Sequence, residues 1–223
     1  MCMTSSIVPT DTDDEGGLTI SSPLLQGVIA IVRSRSELPL AQIIAAIRAG
    51  GVDLVELTLT TPEALTAVGE LRSAQPDVPL GMGSIRTGAD ARRAIDAGAT
   101  FLVTPTFQPS VLDEARRDGI PVACGAATPT EADSAFQAGA DLIKIFPAST
   151  LGGARYLREL LAPMPDLPLA PTGGVTLESV PEYKSVGAVG LGVGSALFSD
   201  ARFADGGLAA VQETARAFSA AWQ

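Results

Sequence analysis

From residue 28 onward, eight short β-rich runs alternate with helix-length amphipathic segments, and glycine-containing joints recur where a helix turns back towards a strand. No glycine-rich dinucleotide fingerprint follows the first run. Together these observations predict an α/β fold of the (β/α)8 TIM-barrel type in a single domain, in preference to a doubly wound open sheet.

The strand candidates are Val28–Arg33, Leu54–Thr60, Pro79–Ser84, Phe101–Thr106, Pro121–Gly125, Leu142–Pro147, Leu167–Thr172 and Ala188–Ser195. Each is a short apolar or alternating run, as expected for strands covered on both faces. The helix candidates are Leu40–Ala49, Glu63–Ala74, Ala89–Ala97, Ser110–Arg117, Thr130–Ala138, Ala154–Leu161, Leu177–Val186 and Leu208–Trp222. In the first of them Leu40, Ile43, Ile44 and Ile47 fall at helical spacing. The joints Ala49-Gly50-Gly51, Ala97-Gly98-Ala99, Asp118-Gly119-Ile120, Ala138-Gly139-Ala140 and Val186-Gly187-Ala188 fit left-handed helix caps. No linker interrupts residues 23–223, which read as one barrel. Residues 1–22, with the acidic run Asp11-Thr12-Asp13-Asp14-Glu15, read as a disordered tail.

Composition narrows the function. A net charge of −10 argues against a nucleic-acid surface but not against a local site for a small anion. Apolar runs such as Gly27–Val32 are too short to span a bilayer, and Met1 to Gly17 lack the pattern of a secretory signal. Cys2 and Cys124 form no disulfide or metal framework. These features point to a cytoplasmic protein without membrane or nucleic-acid partners. With 0 histidines, the chain can build neither a Ser-His-Asp triad nor a Cys-His pair, and it has no histidine-ligated zinc. Acid–base work falls to Asp, Glu, Lys or Tyr.

The lysines then stand out. Lys184 lies in a polar helical stretch, but Lys144 sits inside Leu142-Ile143-Lys144-Ile145-Phe146, a run that reads as buried. An ammonium there is costly unless paired or neutralised. Lysine, unlike arginine, can lose its proton and attack a carbonyl to give a Schiff base. The structural alternative is a buried stem whose tip reaches water or a carboxylate. Glu56, within Leu54-Val55-Glu56-Leu57-Thr58-Leu59-Thr60, is a carboxylate in an apolar strand, suited either to proton transfer or to an ion pair with Arg33.

In a barrel of this kind function gathers where the strands end. Arg33, Ser84, Thr104-Pro105-Thr106, Thr172-Gly173-Gly174 and Gly194-Ser195 all fall at such ends. The last two, after strands seven and eight, are where these barrels commonly bind phosphate on backbone amides. Either glycine-rich loop alone reads better as a turn; it is the two in the expected places that point to an anion.

The segments Val28–Arg33, Val55–Leu59, Thr128-Pro129-Thr130-Glu131, Lys144-Ile145-Phe146-Pro147-Ala148 and Pro171-Thr172-Gly173-Gly174 occur in this order. Together they resemble the 2-keto-3-deoxy-6-phosphogluconate (KDPG) and 4-hydroxy-2-oxoglutarate (KHG) aldolase family, which also includes phosphogalactonate aldolases. The resemblance runs from about residue 25 to 200.

It implies a class I aldolase, usually a homotrimer, that needs no metal or other cofactor and acts on an anionic keto acid. Position by position, it implies that Lys144 forms the Schiff base and that Glu56 is the general acid and base. Arg33 and Ser84 would hold the anionic substrate, with Pro105 at the same rim, and Phe146 would pack beside the imine. Thr172, Gly173, Gly174, Gly194 and Ser195 would bind a distal phosphate.

One departure stands out. Members acting on phosphogluconate commonly carry Thr-Leu-Arg-Thr where this chain reads Thr58-Leu59-Thr60-Thr61. Thr60 thus replaces an arginine, and Arg86 reads either as a substitute cation or, equally well, as a surface arginine at a helix start. The rival readings are a phosphate-binding barrel isomerase or synthase working without an imine, and a non-catalytic oligomeric scaffold.

Overall fold

The computed structural model describes residues 25–223. The acidic tail expected over residues 1–22 lies outside the described residues. The strands are β1 (Gly27–Val32), β2 (Leu54–Thr58), β3 (Leu80–Gly83), β4 (Phe101–Val103), β5 (Val122–Ala126), β6 (Leu142–Ile145), β7 (Leu169–Pro171) and β8 (Gly190–Val193). They form one parallel sheet in the order β7-β6-β5-β4-β3-β2-β1-β8. β7 then returns to β8: Val189 donates its N–H to the Leu169 carbonyl at 3.0 Å, and Thr172 bridges Gly192 in parallel. The sheet therefore closes into the (β/α)8 barrel that the strand–helix alternation predicts.

Successive strand side chains point to opposite faces, and here both faces are buried. Ile29, Leu54, Phe101, Val103, Ala123, Leu142 and Ala170 pack with Leu25 as a separate apolar cluster, the floor of the barrel interior. Their sequence neighbours, including Ala30, Val55, Leu102, Cys124, Ile143 and Leu169, join the larger cluster beneath the helices. Phe101 has room because β3 carries glycine beside it: a Cβ on Gly81 would lie 2.2 Å from the ring.

The helices are α1 (Leu40–Ala49), α2 (Ala64–Ala74), α3 (Gly88–Asp96), α4 (Pro109–Arg117), α5 (Pro129–Gln137), α6 (Ala148–Leu151), α7 (Ala154–Leu161), α8 (Val180–Ser185) and α9 (Asp200–Trp222). Leu40, Ile43, Ile44 and Ile47 of α1 are buried, as their spacing predicts. The joint glycines Gly51, Gly98, Gly119, Gly139 and Gly187 all have positive φ. The motif Thr128–Glu131 is a capping box: Thr128 Oγ1 accepts the Glu131 N–H, and the Glu131 carboxylate accepts the Thr128 N–H. A further backbone N–H, from Ala127, holds the Glu131 carboxyl below its ordinary range. The part of the resemblance carried by this motif is thus a helix start.

Several boundaries differ from expectation. The fourth strand stops at Val103 instead of Thr106, since Thr104 Oγ1 turns back to the Thr106 carbonyl at 2.8 Å. Strand three ends at Gly83, because Ser84 adopts φ 61° and leaves the extended path. The segment expected as a helix from Leu177 opens with a 3-10 turn, Leu177–Ser179, before α8. The last helix begins at Asp200 instead of Leu208, with a break at Gly207 (φ 57°, ψ −151°), and it packs against α1. Among the described residues no helix is long and apolar enough to cross a membrane.

Candidate active site

The two-residue step along β6 and β2 builds the site. From Leu142 on the barrel floor, the next inward side chain is Lys144, followed by Phe146 at the rim. From Leu54, the next is Glu56, followed by Thr58. Lys144 is 8% exposed and is flanked in register by Gly125 on β5, over which the Pro105–Thr106 backbone passes, and by Ala170 on β7. Its Nζ lies 5.6 Å from the centre of the Phe146 ring, within the range of a cation–π contact. Phe146 is 39% exposed, an unusual position for a large apolar side chain in this fold.

Glu56 is 1% exposed, and its Oε1 has no hydrogen-bond partner. Burial pushes its carboxyl above the ordinary carboxylate range, and the nearby charges of Lys144 and Arg33 offset that only in part. The carboxylate lies over β3 at Gly83, where a Cβ would come within 1.6 Å of Oε1. Only glycine leaves that volume to the acid. Arg33 does not form the ion pair with Glu56 weighed from the sequence. Its Nη2 instead donates to Ser84 Oγ at 3.3 Å.

Above these groups opens a cavity of about 790 Å³ at the carboxyl ends of the strands. Arg33, Ser84, Pro105, Lys144, Phe146, Thr172, Gly173, Gly174, Gly194 and Ser195 all line it, and Glu56 lies beside Lys144 without contributing to the wall. The β7 loop is shaped by α6, whose Ala148 and Ser149 donate their N–H groups to the carbonyls of Thr172 (2.8 Å) and Gly173 (3.1 Å). Gly174 has φ 73°, and a Cβ there would meet Ser149 Oγ at 2.0 Å. Thr172 in turn packs over Gly192, where a Cβ would lie 2.2 Å from Thr172 Oγ1. Gly194 faces open space, and its carbonyl accepts the N–H groups of Leu197 and Phe198, both at 2.9 Å.

Thr60 also lines the cavity, with its hydroxyl 3.2 Å from that of Thr58. Arg86 does not: it is exposed and lies outside the cavity wall, which favours the reading of a surface arginine at a helix start. Sequence reasoning missed Ser34, Arg35, Val175, Ala196, Phe198, Ser199 and Asp200, which with Ile31 complete the wall. For Arg35 a signal existed in its position two residues beyond Arg33, in the same strand-end loop. Cys124 faces the helix layer, and burial pushes its thiol up, which disfavours the thiolate. Among the described residues no cluster of three or more Cys, Asp or Glu could hold a metal ion.

A parallel barrel with an inward lysine, a buried acid and a rim of glycine loops has the groups that an enzyme working through a Schiff base needs. The family model for KDPG and KHG aldolase matches residues 22–214. The chain is 35% identical over 156 residues to a 2-dehydro-3-deoxy-phosphogluconate aldolase of Treponema pallidum, covering 70% of this chain and 73% of the relative. It is 32% identical over 173 residues to a 2-dehydro-3-deoxy-6-phosphogalactonate aldolase of Escherichia coli, covering 77% and 84%. A solved KDPG aldolase of Legionella pneumophila, holding pyruvate as a covalent carbinolamine, superposes with a TM-score of 0.80 at 25% identity, over 90% of this chain and 96% of that one. The chain belongs to the KDPG and KHG aldolase family, a family of class I aldolases.

Proposed function

We propose that this protein cleaves a 2-keto-3-deoxy sugar acid phosphate, foremost 2-keto-3-deoxy-6-phosphogluconate, to pyruvate and glyceraldehyde 3-phosphate. The observation that carries the reading is the pair in the barrel interior: a buried lysine beside a buried carboxyl with an unpartnered oxygen and a raised pKa.

Lys144 Nζ attacks the keto carbon C2, and loss of water gives a protonated imine. Glu56, as carboxylate, takes the proton of the C4 hydroxyl directly or through one water. The C3–C4 bond breaks, its electron pair moves to the imine nitrogen as an enamine, and the aldehyde leaves. Glu56 then returns the proton to C3, and hydrolysis of the imine frees pyruvate and Lys144. A carboxyl with a raised pKa suits both halves of this cycle. Arg33 and Ser84 hold the carboxylate next to C2, and Phe146 shields the imine. Thr172, Gly173, Gly174, Gly194 and Ser195 receive the phosphate on their amides and hydroxyls.

A second substrate reading rests on Thr60, which lines the cavity where an arginine is expected for phosphogluconate. It keeps the chemistry and changes the substrate to the phosphogalactonate epimer or to 4-hydroxy-2-oxoglutarate. Pyruvate release from a panel of keto-deoxy acids separates these. Incubation with pyruvate and borohydride is expected to leave a reduced adduct on Lys144, detected by peptide mass spectrometry; a folded protein with no adduct there would sink the imine mechanism. The homotrimer implied by the family resemblance is part of the same reading, and light scattering that gives a monomer overturns it.

Gly83→Ala tests the placement of the acid. A Cβ 1.6 Å from Oε1 forces the carboxylate aside. A displacement on the order of 1 Å costs roughly a hundredfold in kcat, with about 1–3 kcal/mol of stability lost to overpacking. Steady-state kinetics and thermal melting check the two parts. Borohydride trapping of pyruvate should suffer less than turnover.

A further inference from the structure

We infer that Arg35 holds the terminal anion of the substrate and sets the preference for a phosphorylated over an unphosphorylated keto-deoxy acid. This rests on the aldolase reading above and adds to it a residue that the sequence did not single out.

The charged side chains on the cavity wall are Arg33, Arg35, Lys144 and Asp200. Lys144 is committed to the keto carbon. The substrate carboxylate is bonded directly to that carbon, so it stays deep in the cavity. Arg33 is the cation suited to it: it is hydrogen-bonded to Ser84, and its charge acts on Glu56. Arg35, exposed like Arg33, exerts no such influence on Glu56, and among the described residues it forms no ion pair. It is a guanidinium at the rim without an internal partner.

The strand order says which part of the rim. β1 lies between β2 and β8, so the loop after β1 borders the loop after β8, which carries Gly194 and Ser195. Arg35 lies two residues beyond Arg33 along that loop. The loop is fixed in place: Ser34 donates its N–H to Thr61 Oγ1 at 3.2 Å, and Ser36 donates its N–H to Ser34 Oγ at 2.9 Å. Arg35 lines the same cavity as the two glycine-rich loops, and a guanidinium there can make charge-assisted hydrogen bonds to phosphate. Asp200, in the first turn of α9, lines the same cavity and opposes an anion there. A dianion beside it needs a compensating cation, and Arg35 is the one on the wall not already committed.

The test compares wild type, Arg35→Gln and Arg35→Lys on 2-keto-3-deoxy-6-phosphogluconate and on its unphosphorylated counterpart, with pyruvate trapping at Lys144 run in parallel. Losing a charge-assisted contact at an exposed rim should lower the ratio of kcat/KM for the phosphorylated over the unphosphorylated substrate roughly tenfold in Arg35→Gln. The loss should appear in KM, with kcat within about threefold, and Arg35→Lys should restore part of it. Trapping of pyruvate should match wild type, which also reports an intact barrel. An unchanged ratio, or equal losses on both substrates, overturns the role of Arg35 while leaving the aldolase reading intact. If wild type fails to trap pyruvate, the aldolase reading itself falls.

Discussion

Lys144→Arg is expected to lower kcat by about 10⁴-fold or more, the scale seen when a covalent nucleophile is removed, and to leave no borohydride adduct with pyruvate. Arginine keeps the positive charge but cannot lose its proton to attack a carbonyl. The protein should still fold, because Lys144 lines an open cavity into which the longer side chain can extend. Circular dichroism and thermal melting check the fold, and a coupled pyruvate assay checks the activity. A variant that kept turnover would favour the rival barrel without an imine. Loss of both fold and activity would be read against Lys144→Met, which removes the amine at similar length.

Glu56→Gln is expected to lower kcat by about 10²- to 10⁴-fold, the usual worth of a general acid–base group, while pyruvate trapping persists. Its effect on stability has the opposite sign. In the native state burial raises the Glu56 carboxyl above 4.5, its reference value. The native protein therefore binds more protons than the unfolded chain in the pH range between the unfolded and native pKa values. Stability from this group is fully present below the unfolded pKa and is lost as pH rises through the native one. Glutamine removes that dependence. The melting temperature of Glu56→Gln relative to wild type should therefore increase from pH 4 to pH 7. A difference that stayed flat with pH would show that Glu56 does not carry a raised pKa.

Some of this could be read before any coordinates. The barrel was legible because its signals are local: a two-residue alternation, a helical spacing in Leu40–Ile47, and glycine where helices turn back. Lys144 and Glu56 were legible for the same reason, since a charge in an apolar strand is conspicuous without knowledge of its neighbours. Cross-strand consequences were not legible. That Glu56 occupies the space of a missing Cβ at Gly83 depends on the pairing of β2 with β3. Nor could the four-residue α6 be read, because a single turn has no periodicity. Asp200 reaches the cavity only because α9 starts at the barrel rim, eight residues earlier than the periodicity from Leu208 indicates. Arg86, basic and near Ser84 in sequence, does not reach it.

The alternation that lifts Lys144 and Glu56 off the barrel floor also governs how a lineage built on this plan can change length. Deleting one residue within Leu54–Thr58 or Leu142–Ile145 would swap inward and outward faces beyond the deletion, carrying the acid or the amine into the layer beneath the helices. Insertions and deletions that survive should therefore cluster in the loops after the strands. Those same loops line the cavity, so changes in them can reshape it while Lys144 and Glu56 stay at the same depth.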